Sequence, residues 1–311
     1  KGTGLIAFLD ANWGMYQKDV EFADSFREVI EKYDWPKSIY ITTPKSHMEN
    51  ILIIDDKLKN RVEFSLSMQS LDDKTLANIK RKNWTQEQYI GFIKEIEKRG
   101  KTPRTEMIIP LPGETEETYL KSTKFLMDHK CKPLMMTLMM LCGAELGRDE
   151  AIKKYDMVSK YRILPGQFGE YHGKKIFEIE RICAATNTMS HKEYLNCRNY
   201  NFVQELLTNQ AFAPIYKLTQ KAGISWYELT RKVFEVISDK NFKGELKDLF
   251  NQFCQESHNE LFNSELEAID FYSETKNYKS LEQGDIGDNL LGKYTAKSLL
   301  VFDDILTTVY Y

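Results

Sequence analysis

The first half of the chain alternates short apolar runs, rich in Ile, Leu, Met and β-branched residues, with longer charged stretches at helical spacing. The apolar runs are Leu5–Ala11, Ser38–Thr43, Val62–Met68, Thr105–Leu111 and Leu134–Cys142. Between them the spacing predicts helices over 19–33, 47–58, 72–99 with a break near Asn83, and 115–130. A repeating βα pattern of this kind predicts parallel strands with helices packed outside them. After Gly147 the texture changes: a helix over 148–158 leads into Ile163 to Gly173, where Pro and Gly punctuate an irregular segment or hairpin. From Ser190 onward only helices are predicted, punctuated near Pro214, Gly223, Gly244 and Gly284 to Gly292.

Composition narrows the class more than it identifies it. With 43 Lys and Arg against 46 Asp and Glu, the net charge of −3 supplies no global field toward nucleic acid or an anionic membrane. The longest apolar run is far short of the roughly 20 residues that span a bilayer, so neither a nucleic-acid nor a membrane partner is expected. The five cysteines, successively 11, 41, 14 and 57 positions apart, form no CxxC or CxxxCxxC pattern. An odd, sparse set fits reduced thiols and a cytoplasmic protein. The first residues, Lys1-Gly2-Thr3-Gly4, run directly into a strand pattern without the layout of a signal peptide, so the chain reads as starting inside a longer one.

Ligands of parallel α/β architectures bind at the carboxyl ends of strands. The first run ends in Asp10-Ala11-Asn12-Trp13-Gly14, with an Asx turn as the plain alternative, and the second in Thr42-Thr43-Pro44-Lys45. In the third, period-two alternation turns Ser65, Ser67 and Gln69 toward one face, while Ser70 or Asp72 caps the following helix. The fourth embeds Glu106 in an apolar run, where a carboxylate needs a partner; Arg104 and Lys101 are the structural candidates. Pro112-Gly113-Glu114-Thr115 reads as a turn into an acidic first helical turn, and the methionines of the fifth run as core packing.

In this order, Asp10-Ala11-Asn12-Trp13-Gly14-Met15, Ser67 to Asp72 with Asn78-Ile79-Lys80-Arg81, Thr105-Glu106 running to Leu111-Pro112-Gly113-Glu114-Thr115, and Glu178 to Arg181 with Thr186 to Ser190 resemble the radical S-adenosylmethionine (SAM) enzymes, in the branch that usually carries a cobalamin-binding domain. The resemblance covers about residues 4–195. It implies a partial (β/α)6 TIM-like barrel lacking its first strand over 1–195; the all-α domain over 196–311 is predicted by the helical texture alone and matches no family wording. The resemblance also implies S-adenosylmethionine as cofactor, a 4Fe-4S cluster whose CxxxCxxC ligands lie upstream of these residues, cobalamin held by an upstream domain, and an electron donor such as flavodoxin or ferredoxin.

Carried over by position, Asp10 and Asn12 would meet the SAM amino group, Ser67 and Gln69 its carboxylate or ribose, and Glu106 the ribose. Leu141 to Gly143 would offer backbone to the adenine. Here the family's common Gly-Gly-Glu wording is absent. Tyr171 and His172, in the Gly-rich stretch, are candidates to line the substrate opening, with a surface hairpin as the plain alternative; no residue of the chain is assigned as catalytic or as a metal ligand. The implied activity is generation of a 5′-deoxyadenosyl radical that methylates or rearranges a small-molecule or peptide substrate, a reaction this chain alone, without the cluster ligands, would not perform. Two rival readings remain: a cluster-free barrel that binds a nucleotide-like ligand or a protein, and a metal-independent barrel enzyme with Glu106 as acid or base.

Overall fold

A computed structural model describes residues 3–10, 12–42 and 47–310. Ala11 and Thr43-Pro44-Lys45, part of the first and second strand ends singled out above, lie outside the described residues. Five strands, β1 (Leu5–Phe8), β2 (Ser38–Thr42), β3 (Val62–Ser65), β4 (Arg104–Ile109) and β5 (Lys132–Thr137), form a parallel sheet in the spatial order 1-2-3-4-5. The helices between them are α1 (Gln17–Tyr33), α2 (Met48–Lys57), α3 (Asp73–Asn78), α4 (Gln86–Lys98) and α5 (Glu116–Asp128). Strands and helices fall within a few residues of the positions their patterns predict. The chain divides into two compact units, Lys1–Met107 with Ser122–Met136, and Ile108–Lys121 with Thr137–Tyr311.

Sequential strand order governs the first unit. For strands adjacent in both chain and sheet, the usual right-handed crossover brings the connecting helices to one face. That face is apolar: Ile39, Ile41, Val62, Phe64 and Met107 are buried, and the Phe64 ring meets Phe92 of α4 edge-on at 5.9 Å. Where β1 turns into α1, Gly14 has φ +95°, and a Cβ there would stand 1.9 Å from Cδ1 of Ile51, so the close approach of this turn to α2 requires glycine. The opposite face is polar across β2, β3 and β4, an arrangement unlike the doubly covered apolar sheets of most parallel α/β proteins.

The second unit contains a one-turn 3₁₀ segment (Glu145–Gly147), α6 (Asp149–Lys154), and a long antiparallel hairpin, β6 (Val158–Tyr171) and β7 (Lys174–Ala185). Of the two sequence expectations over 163–173, an irregular segment or a hairpin, the structure shows the hairpin, and its strands of 14 and 12 residues extend well beyond the punctuated stretch. Its turn is His172-Gly173, with φ +52° and +77°, the two positive values of a type I′ turn whose twist matches the flanking strands. Helices follow: α7 (His191–Leu207), α8 (Ala213–Ala222), α9 (Trp226–Ser238), α10 (Glu245–Asn259), α11 (Glu265–Ser273), α12 (Thr275–Glu282), α13 (Leu290–Lys297) and α14 (Phe302–Tyr310). The position 195/196, taken from the sequence as a domain boundary, falls within the continuous helix α7. No helix of the described residues is long and apolar enough to cross a membrane.

One hairpin face packs Ile163 against Phe262, Tyr272 and Leu281. A buried ionic chain then ties hairpin to helices: Arg162 Nε donates to Glu180 at 2.5 Å and its Nη1 to Glu260 at 3.3 Å, while Arg198 Nη2 lies 2.5 Å from the same Glu260 carboxylate. Burial works against the Arg162 charge, yet Glu260 and Glu180 outweigh it and the guanidinium is held protonated well above its ordinary range.

Glu260→Gln leaves Arg198 and Arg162 without their shared counter-charge and is expected to destabilise the protein by about 3–5 kcal/mol, read from the urea midpoint. A loss no larger than that of an exposed pair, under about 1 kcal/mol, would show that the chain of charges is not coupled. Asp34, at the end of α1, accepts from Lys37 and Arg61, and these bonds lower its carboxyl from 3.8 to about 2. A depressed carboxyl stabilises the fold above its unfolded value, so this contribution is expected to vanish as pH falls from 3.8 toward about 2. Asp34→Asn should flatten the acid limb of the stability curve in that window.

Candidate functional site

The polar face of the sheet is organised in oblique rows of bonded side chains. Ser38 of β2, Glu63 of β3 and Arg104 of β4 form the row nearest the strands' amino ends: the Ser38 hydroxyl and the Arg104 guanidinium both donate to the Glu63 carboxylate. Two residues further along each strand, Tyr40, Ser65 and Glu106 form the next; both rows run obliquely to the backbone register, which pairs Tyr40 with Glu63 and Ser65 with Arg104. Arg104 also lies over the Tyr40 ring, 5.7 Å from its centroid, which joins the two rows.

Glu106 is the hub. Its Oε1 accepts from the Ser65 hydroxyl at 2.6 Å and the Tyr40 hydroxyl at 3.2 Å, and its Oε2 accepts from the Ser67 hydroxyl at 3.0 Å. Three hydroxyls therefore supply the partners that an intrastrand carboxylate needs. The cationic candidates for that role are corrected by the structure: Arg104 binds Glu63, and Lys101 Nζ donates to the buried Asp55 at 2.6 Å and to the Val62 carbonyl at 2.7 Å.

The loop leaving β3 is held from two sides. Ser67 and Gln69 both have positive φ, +43° and +63°, which for residues with a Cβ is sparsely populated and needs surrounding structure to hold it. The Gln69 N–H donates to the Glu106 carbonyl at 2.8 Å and the Met68 N–H to the Thr105 hydroxyl at 2.8 Å. On the other side, Arg81 donates to the Ser67 carbonyl and, at 2.9 Å, to the Asn83 side chain, whose amide donates to the carbonyls of Met68 and Ser70 at 2.8 and 2.9 Å. Asn83 lies in the break between α3 and α4, near where the long helix is expected to be interrupted, and clamps the strand exit. Burial lowers the pKa of Arg81, while the nearby Tyr89 and Glu106 favour its charged form. Asp72 caps α3 through the Thr75 N–H at 2.8 Å, as expected.

The other sequence-derived residues lie elsewhere. In the loop after β1, the Asp10 carboxylate accepts from the Asn12 N–H at 2.8 Å, the Asx turn set out above, and both residues are exposed. Trp13 is buried and stacks on Phe8 at 4.5 Å, so the indole serves packing. Leu141, Gly143, Tyr171 and His172 belong to the second unit and are exposed, the last two beside and within the hairpin turn. There, too, two of the resembling words are bonded to each other: the Thr188 hydroxyl donates to the carbonyl of Glu114 at 2.8 Å. Sequence reasoning missed Tyr40, Arg81 and Asn83; the parity of Tyr40 with Ser38 on a strand next to Ser65 is the signal that would have found the first.

The cysteines do not fit an iron–sulfur cluster. Burial pushes the thiols of Cys131, Cys183 and Cys197 up, against the thiolate form that ligation requires, and no group of three or more potential ligands converges among the described residues. The hub presents a carboxylate and three hydroxyls beside the exit loop of β3. No family model and no curated protein sequence matches the chain.

Removing hydroxyls from the hub should produce a graded series. Tyr40→Phe loses one bond of 3.2 Å and is expected to cost about 0.5–1.5 kcal/mol, whereas Glu106→Ala leaves the buried Ser65 hydroxyl without its acceptor and should cost about 1–3 kcal/mol more. Equal urea midpoints for the two variants would mean that the carboxylate does not organise the face.

Proposed function

We propose that this chain is the barrel and helical part of a radical SAM enzyme of the cobalamin-associated branch, with S-adenosylmethionine held along the polar face of the β1–β5 sheet. The observation that carries the reading is the convergence of Ser67, Gln69 and Glu106. These positions, picked by resemblance, are joined by the 3.0 Å hydroxyl–carboxylate bond and the 2.8 Å backbone bond. Sequential parallel strands with one polar face also suit a barrel wall around a ligand.

In this proposal Ser67 and Gln69 bind the carboxylate or ribose of S-adenosylmethionine and Glu106 orients the ribose hydroxyls, its own donors Ser65 and Tyr40 keeping it aligned. Arg81 and Asn83 position the loop that carries Ser67 and Gln69. Bound S-adenosylmethionine supplies a group for one-electron cleavage, which requires a cluster that the cysteines present here do not build. The reading therefore needs a CxxxCxxC segment outside these 311 residues.

Calorimetry with S-adenosylhomocysteine should show weak binding that falls several-fold in Gln69→Ala and Asn12→Ala. No heat in a longer native chain that carries CxxxCxxC would overturn the assignment. Binding by a native chain without such a segment would instead favour a cluster-free, nucleotide-binding barrel.

A further inference from the structure

A cavity of about 500 Å³ opens at the amino ends of β2, β3 and β4, within the first unit and at the opposite end of the strands from the Ser67–Gln69 loop. That volume lies within the roughly 300–1,000 Å³ of small-molecule sites. Its walls carry four cations, Lys37, Arg61, Lys101 and Arg104, against one carboxylate, Glu63. Two more carboxylates neutralise from behind: Asp34 pairs with Lys37 and Arg61, and the buried Asp55 with Lys101. Four positive charges against three leave an excess that faces the cavity.

The cations divide by role. Lys101 and Arg61 are anchored: Lys101 to Asp55 and the Val62 carbonyl, Arg61 to Asp34 and, through Nη1 at 2.6 Å, the Pro36 carbonyl. Arg104 and Lys37 are more exposed, at 39% and 62%: Lys37 shares Asp34 with Arg61 and keeps two further N–H donors, and a guanidinium with five donors spends one on Glu63. Glu63 thus occupies, from within the chain, the place that an external anion would take against Arg104.

We infer that this cavity is a binding site for a small phosphate-bearing anion, with Arg104 and Lys37 as its direct contacts, Arg61 and Lys101 as fixed background charge, and Glu63 as an internal competitor. The planar fork of Arg104 and the point charge of Lys37 together suit a diphosphate better than a single carboxylate. The site is independent of S-adenosylmethionine binding at the other end of the strands.

Calorimetry of the whole chain with inorganic pyrophosphate tests it. Binding is expected, weakening with added sodium chloride. Arg104→Gln and Lys37→Gln should each lower the affinity by about tenfold, as expected for loss of a charge-assisted bond. Glu63→Gln removes the competitor and should raise the affinity, an effect that loss of a merely structural ion pair would not produce. Lys18→Gln, an exposed charge on α1, should change nothing, and thermal unfolding of each variant verifies folding. Absence of heat in the unaltered chain, or the same affinity in Arg104→Gln, Lys37→Gln and Glu63→Gln, overturns the inference.

Discussion

A carboxylate set into a parallel strand has to be met by donors from its neighbours, and in this protein that single requirement shapes the face of the sheet. Glu106 stands in β4 between Thr105 and Met107, both fully buried on the apolar side. Its own side of the strand must therefore be polar, and the hydroxyls of Tyr40, Ser65 and Ser67 are the answer. β3 ends at Ser65, and Ser67, with a positive backbone angle in the loop that follows, still brings a second hydroxyl to the other carboxylate oxygen. Arg81 and Asn83 complete the arrangement by occupying the carbonyls that this loop exposes.

The second unit solves a similar problem with charge rather than hydroxyls. Glu260 is shared between Arg162 and Arg198, and Glu180 takes the remaining side of Arg162. A network of this kind contributes less net stability than its Coulomb attraction suggests, since each ion has lost its water. Its directional bonds fix how the hairpin, α7 and α10 meet, where apolar contacts alone would tolerate sliding. Hydroxyls around one carboxylate leave a face that can exchange partners with a ligand; interlocked guanidinium and carboxylate groups leave a joint.

The βα alternation was legible because each strand is flanked by turn residues and each helix carries its own period, so local physics and final structure agree. Ser67 and Glu106 were legible for a related reason: a polar residue inside a buried run announces that something must satisfy it. The identity of the partner was not. Arg104 and Lys101 are near Glu106 in sequence, but Arg104, two residues nearer the amino end of β4 on the same face, bonds Glu63, and the end of α2 presents Asp55 to Lys101. Tyr40 and Arg81 reach Glu106 or its loop across strands and turns, which no local pattern records. The length of the β6–β7 hairpin escaped because its strands mix Lys, Glu and Arg with aromatics, and one edge is met by Phe262, far along the chain between α10 and α11.

The strand order has one more consequence, in time rather than space. Because β1 to β5 pair strictly in chain order, each strand emerging from synthesis finds its partner in the one made just before it, with only an intervening helical segment to bridge. The entropy of loop closure is then met in small, similar instalments. The sheet can lengthen from one edge as the chain is made, and the polar rows on its face are assembled a strand at a time: Tyr40 first, Ser65 and Ser67 next, and Glu106, which draws them together, last.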